Sequence, residues 1–160
     1  MNFENYSGLT LFDEFTKLYN SHINEMKEVK QSSIYKIKFV SEDSSIMQAH
    51  YFFDFSEKDF FFKCFINKAP IIGCNKNNCE IIKLSEIECF AMIAHELGHI
   101  YLVPNTEEDL LKKELLADEM SCRLGLKEGL ISGLKKIADY EYCLNNEEIL
   151  QRISLLSNGR

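Results

Sequence analysis

The run His95-Glu96-Leu97-Gly98-His99 sets two imidazoles four residues apart, with a carboxylate directly after the first. On an α-helix that spacing puts both rings on one face, one turn apart, where they can reach a single metal ion. Zinc accepts imidazole nitrogen at about 2.0–2.1 Å and suits such a pair. Glu96 then stands where a general base is needed, able to take a proton from activated water and pass it to a leaving amine. The chemistry this motif predicts is peptide-bond hydrolysis by zinc-activated water. Gly98 weakens a helix by about 1 kcal/mol, so its place beside His99 predicts close approach of another backbone or of a substrate.

A catalytic zinc ion usually has three protein ligands and one open position. Residue 102 is leucine and residue 105 asparagine, which rules out an HExxHxxGxxH arrangement. The third ligand must come from elsewhere, and Glu114-Leu115-Leu116-Ala117-Asp118 offers it. Glu114 and Asp118 share a helix face, and the 15 residues from His99 to Glu114 leave room for a turn and an antiparallel return. Glu114 is the candidate carboxylate ligand. Asp118, one turn on, is the candidate to hydrogen-bond the far nitrogen of a ligand histidine and fix its tautomer. Ala117 is small enough to let the two helices come together. Glu119 competes as third ligand; it lies about 100° round the helix from Asp118, so both cannot face one metal equally.

The elements that must hold these residues are legible from periodicity. Apolar positions at three-and-four spacing predict a helix over residues 9–29. Alternation and β-branched or aromatic residues predict strands over 34–40, 46–55 and 60–66, with turns at 41–45 and 56–59. A short fourth strand follows over 70–74, with Pro70 at its start where a missing N–H is tolerated. Residues 75–78 read as a polar loop. Ser85-x-x-Glu88 is a capping box ahead of an apolar periodic run that carries the motif to Pro104. Thr106 is the expected cap of the next helix, which runs to about Leu124 with Gly125 as its stop. Two shorter helices are expected near 127–138 and 146–156. This order predicts one α+β domain over residues 1–160, a small, mostly antiparallel sheet packed on the motif helix, with further helices after it.

Composition narrows the setting. The 160 residues are 46% apolar and 27% charged, ordinary for a globular chain long enough to bury a core. A net charge of −7 argues against a nonspecific grip on nucleic acid or anionic lipid. The N-terminal residues do not read as a secretory signal, and no stretch approaches the roughly 20 apolar residues of a membrane span. The cytoplasm is the expected location, and a peptide or protein the expected partner. The six cysteines, at 64, 74, 79, 89, 122 and 143, are expected to be reduced and structural, since Cys74-x4-Cys79 is too widely spaced for a zinc knuckle.

With HELGH followed by ELLAD, the chain resembles the gluzincin-type metallopeptidases, and residues 90–100 resemble the active helix of ImmA/IrrE-like peptidases. The resemblance covers residues 85–126. It implies a zincin-like fold, zinc held by His95, His99 and Glu114, Glu96 as base and Asp118 in support. It also implies a sheet edge beside the metal that holds extended substrate by strand addition, for which Ile71–Cys74 is the candidate. An oxyanion stabiliser is needed as well, and Tyr101, Tyr140, Tyr142, His50 and Arg123 all qualify by type. A competing reading keeps the zinc and removes the catalysis: a closed site with Cys122 as fourth ligand, stapling two helices in a binding or regulatory module.

Overall fold

A computed structural model describes residues 2–22, 36–42, 61–66, 70–140 and 146–159. The fold is α+β, with four strands and six helices among the described residues. The strands are β1 (Asn2–Asn5), β2 (Lys36–Ser41), β3 (Phe62–Phe65) and β4 (Ile71–Cys74). The helices are α1 (Thr10–His22), α2 (Lys76–Ile81), α3 (Glu86–Tyr101), α4 (Leu110–Arg123), α5 (Lys127–Ala138) and α6 (Asn146–Ser157). The predicted strand over 46–55, the turn at 56–59, residues 43–45 of the turn at 41–45 and the end of the first predicted helix fall outside the described residues, while Ser41, read as turn, closes β2. No helix among those described is long and apolar enough to cross a membrane.

The sheet corrects two expectations. Its order is β1-β2-β4-β3. β1 runs parallel to β2, β2 runs parallel to β4, and only β3 lies antiparallel to β4. The sheet is therefore mixed rather than mostly antiparallel. Alternation along short strands carries no direction, and successive strands invite a hairpin reading. A parallel pair needs a crossover, and α1 supplies it between β1 and β2. The second correction concerns Ile71–Cys74, which is a central strand and not the edge. All four of its residues are buried, the pattern of a strand covered on both faces. Pro70 still fits before it, because its carbonyl accepts the Lys38 N–H at 3.1 Å while no N–H is required of it.

Aromatic residues join the sheet to the first helix. Phe12, Phe15 and Tyr19 form the fully buried face of α1. Phe12 stacks on Phe39 at 4.4 Å between centroids, and Phe15 bridges Phe39 of β2 and Phe90 of α3. Burial of each such ring stabilises by about 1.5–3 kcal/mol.

α3 is the axis of the molecule. The capping box forms as its sequence predicts: Ser85 Oγ accepts the Glu88 N–H, and the Ser85 N–H donates to Glu88 Oε2 at 2.6 Å. Glu88 is only 3% exposed, yet it stays charged. Burial pushes its carboxyl up, but Lys136 at 2.7 Å, Ser132 at 2.6 Å and the Ser85 N–H outweigh that and hold it down at about 2. This cluster fastens α5 to the start of α3. Beyond it, α3 is buried nearly all round, as expected for a helix enclosed by neighbours.

α4 returns along α3 at close range. Its cap is Asp109, whose Oδ1 accepts the Lys112 N–H at 3.0 Å, rather than Thr106. Both residues suit a cap by type, so composition alone did not fix the start. The helix stops where expected, with Gly125 at φ +71 and its N–H on the Cys122 carbonyl. Residues 75–78, read as a polar loop, instead cap and open α2. Asn75 caps α2 by accepting the Asn78 N–H at 3.0 Å.

Candidate metal centre

Three features of α3 and α4 build the centre. First, the helices meet at Gly98 and Ala117. A Cβ on Gly98 would come within 2.7 Å of the Ala117 Cα and closer still to its carbonyl, so only glycine fits. Second, Ser121 donates to the Ala91 carbonyl at 2.7 Å and sets the pairing one turn further along. Third, the spacing of four residues on each helix turns His95 and His99 of α3 towards Glu114 of α4.

The result is a converging trio. His95 Nε2 lies 3.2 Å from Glu114 Oε2, His99 Nε2 lies 3.3 Å from Glu114 Oε1, and the two Nε2 atoms are 3.1 Å apart. All three ligand atoms fall within 4.8 Å of one another, a grouping that could hold one metal ion. His95 Nδ1 is directed away, to Asp118 Oδ1 at 2.7 Å. That bond leaves Nε2 as the nitrogen free to ligate. Asp118 is 1% exposed.

Arg152 of α6, 6% exposed, completes the cluster, and sequence reasoning missed it. Its Nε and Nη2 donate to the two oxygens of Asp118 at 3.0 and 2.6 Å, and its Nη1 donates to Glu114 Oε2 at 2.9 Å. Nη2 also lies 3.3 Å from His95 Nδ1, because both groups aim at the same Oδ1. A signal was present: Arg152 sits in the apolar stripe Ile149, Ile153 and Leu156, where a charge has to find a buried partner.

Electrostatics follow from this packing. Burial and Arg152 push His95 down, but its bonds to Asp118 and Glu114 win and raise it to about 9 without metal. Burial raises the Glu114 and Asp118 carboxyls, and the histidines and Arg152 more than reverse it, so both sit below the ordinary range. Glu96 goes the other way. Burial lifts its carboxyl above the usual value despite the two histidines. Its Oε2 accepts the Cys64 N–H of β3 at 2.8 Å, which ties it to the sheet.

The trio opens into a cleft of about 350 Å³, walled by residues of β3, α3, α5 and α6 together with Phe61. A larger groove of about 650 Å³ lies on the other side of α4 and lacks the histidines. Glu119 and Cys122, the rival ligands from sequence, both line that groove. Glu119 pairs with Arg123 at 2.6 Å. Neither joins the trio, so the closed four-ligand site through Cys122 is not formed. Of the oxyanion candidates, Tyr101, Tyr140 and Arg123 do not line the cleft, while His50 and Tyr142 lie outside the described residues. The cationic side chains that do line it are Lys63 of β3 and Arg152.

No known protein family, curated protein or solved structure matches this chain.

Proposed function

We propose that this protein is a zinc-dependent metallopeptidase of the gluzincin kind, zincin-like in its packing and cytoplasmic in setting, acting on a peptide or protein. The observation that carries the reading is the convergence of His95, His99 and Glu114 beside a second acidic side chain, Glu96, that takes no part in the ligand set. Two imidazole nitrogens and one carboxylate oxygen are a donor set that zinc accepts. All three line the cleft, so an ion held there would be within reach of a substrate. When bound, zinc would supply Lewis acidity and make water acidic enough to attack a carbonyl near neutral pH.

The chain's own groups have separate tasks in this scheme. His95, His99 and Glu114 hold the metal. Asp118 keeps His95 in the tautomer that presents Nε2. Glu96, held in place by the Cys64 N–H, takes a proton from water and delivers it to the leaving amine. β3, not β4, is the strand for substrate addition, because it flanks the cleft and, among the described residues, pairs only with β4.

Zinc content per chain after purification without added metal, beside a His95→Ala control, tests the metal. The expected result is about one zinc in the wild type and none in the control. Cleavage of an unstructured protein substrate by the zinc-loaded chain, abolished by chelation and restored by zinc, tests the activity. No zinc uptake by the folded wild type would overturn the reading.

A further inference from the structure

A second cluster of reactive groups lies outside the cleft. Cys74 ends β4, Cys79 lies in α2 and Cys89 in the first turn of α3. All three line one cavity of about 240 Å³, with Lys76 and Lys83 at the same cavity. The three thiols are unbridged. Cys74 and Cys89 are buried, while Cys79 is partly exposed. The Cys79 thiol donates to the Phe61 carbonyl at 3.7 Å, and Cys74 and Cys89 are the side chains that act most strongly on it. In turn Cys79 holds Cys89 below the ordinary thiol range against its burial. A thiolate reacts where a thiol does not. Of the charges around Cys89, Lys136 favours the thiolate while Glu88 and Glu86 oppose it.

We infer that Cys74, Cys79 and Cys89 form a thiol–disulfide site that reacts with hydroperoxides, with Cys79 a member of every disulfide formed. The Cys89 thiolate attacks a peroxide oxygen; the S–O bond forms, the O–O bond breaks, and hydroxide leaves and is protonated to water. The Cys79 thiol then attacks the sulfenic sulfur, the S–S bond forms, and a second water leaves with the Cys79 proton. Two thiols lose two electrons and one hydrogen peroxide becomes two waters. Cys74 can move the bond by attacking Cys79 and releasing Cys89. This inference is independent of the metal centre.

The test treats the full chain with hydrogen peroxide, blocks the remaining thiols and maps the peptides without reduction. The expected result is a cross-linked peptide pair that always contains Cys79, joined to Cys89 or Cys74, with Cys64 and Cys122 still open to blocking. Dithiothreitol should return all three thiols. Cys79→Ser should abolish the cross-link and leave Cys89 to oxidise further. Should that variant not fold, Cys74→Ala and Cys89→Ala decide, since the first must still give the Cys79–Cys89 disulfide and the second must give none. Disulfides joining other cysteines, bridges between chains, or separate sulfinic acids with no cross-link would overturn the inference.

Discussion

Arg152 and Asp118 form a buried two-point pair, Nε to Oδ2 at 3.0 Å and Nη2 to Oδ1 at 2.6 Å, and that Oδ1 also receives His95 at 2.7 Å. A guanidinium on one helix thus orients the carboxylate that orients a candidate ligand on another. Removing it leaves His95 to balance the two acids. Arg152→Ala is expected to lose about 3–5 kcal/mol of stability in metal-free protein, read as a drop in urea midpoint. An unchanged midpoint would show that the pair contributes little.

Asp118→Asn tests the same chain of contacts at its middle. The amide can still bond His95 but no longer carries charge. Zinc affinity should fall by roughly 10–100-fold in a chelator competition, with the fold retained. Equal affinity in the two proteins would count against Asp118 as the support of His95.

Glu96→Gln separates holding a metal from using it. The glutamine oxygen can still accept the Cys64 N–H, and Glu96 is not in the ligand trio. Zinc content should stay near the wild-type value while peptide cleavage falls by about 100-fold or more. Hydrolysis that survives the change would remove Glu96 as the base.

Gly98→Ala should be harmful although alanine is the better helix former by about 1 kcal/mol. The added methyl would meet the Ala117 backbone, which cannot turn aside. We expect a net loss of about 1–3 kcal/mol and a fall in zinc uptake, because the helices that bring Glu114 to the histidines are forced apart. Thermal unfolding and metal analysis of one preparation check both.

Glu88 gives the fold a defined acid sensitivity. Its folded carboxyl sits at about 2, below the ordinary 4.5. A group depressed in this way stabilises the fold above its unfolded value and loses that contribution as pH falls through the folded one. Stability should therefore decline between about pH 5 and pH 2. Glu88→Gln should lower the urea midpoint at pH 7, by about 1–3 kcal/mol in stability, and flatten that decline. A variant with the wild-type slope would place the acid sensitivity elsewhere.

The motif helix was readable because its signals are local. The Ser85–Glu88 box, the apolar period and the four-residue spacing of His95 and His99 all lie within a few turns. Glu114 and Asp118 were reachable by the same rule, and Ala117 beside Gly98 by size alone. What the sequence hid depends on distant partners. Parallel pairing of β2 with β4 joins Phe39 to Ile72 across a long connection, and nothing in either strand's pattern specifies direction. The short strand Asn2–Asn5 went unread for a related reason, since its four residues are too few to show a period. Arg152 was hidden by the ordinary expectation that a charged helix residue faces water.

The distance along the chain from His95 to Arg152 has a consequence for biosynthesis. A nascent chain that has emerged only through α4 already carries both histidines, Glu114 and Asp118. It still lacks the guanidinium that neutralises the two acids, along with the α6 wall of the cleft. The cluster as described must then wait for α6 to dock, so the helix most distant along the chain from His95 sets the moment at which the candidate centre is complete.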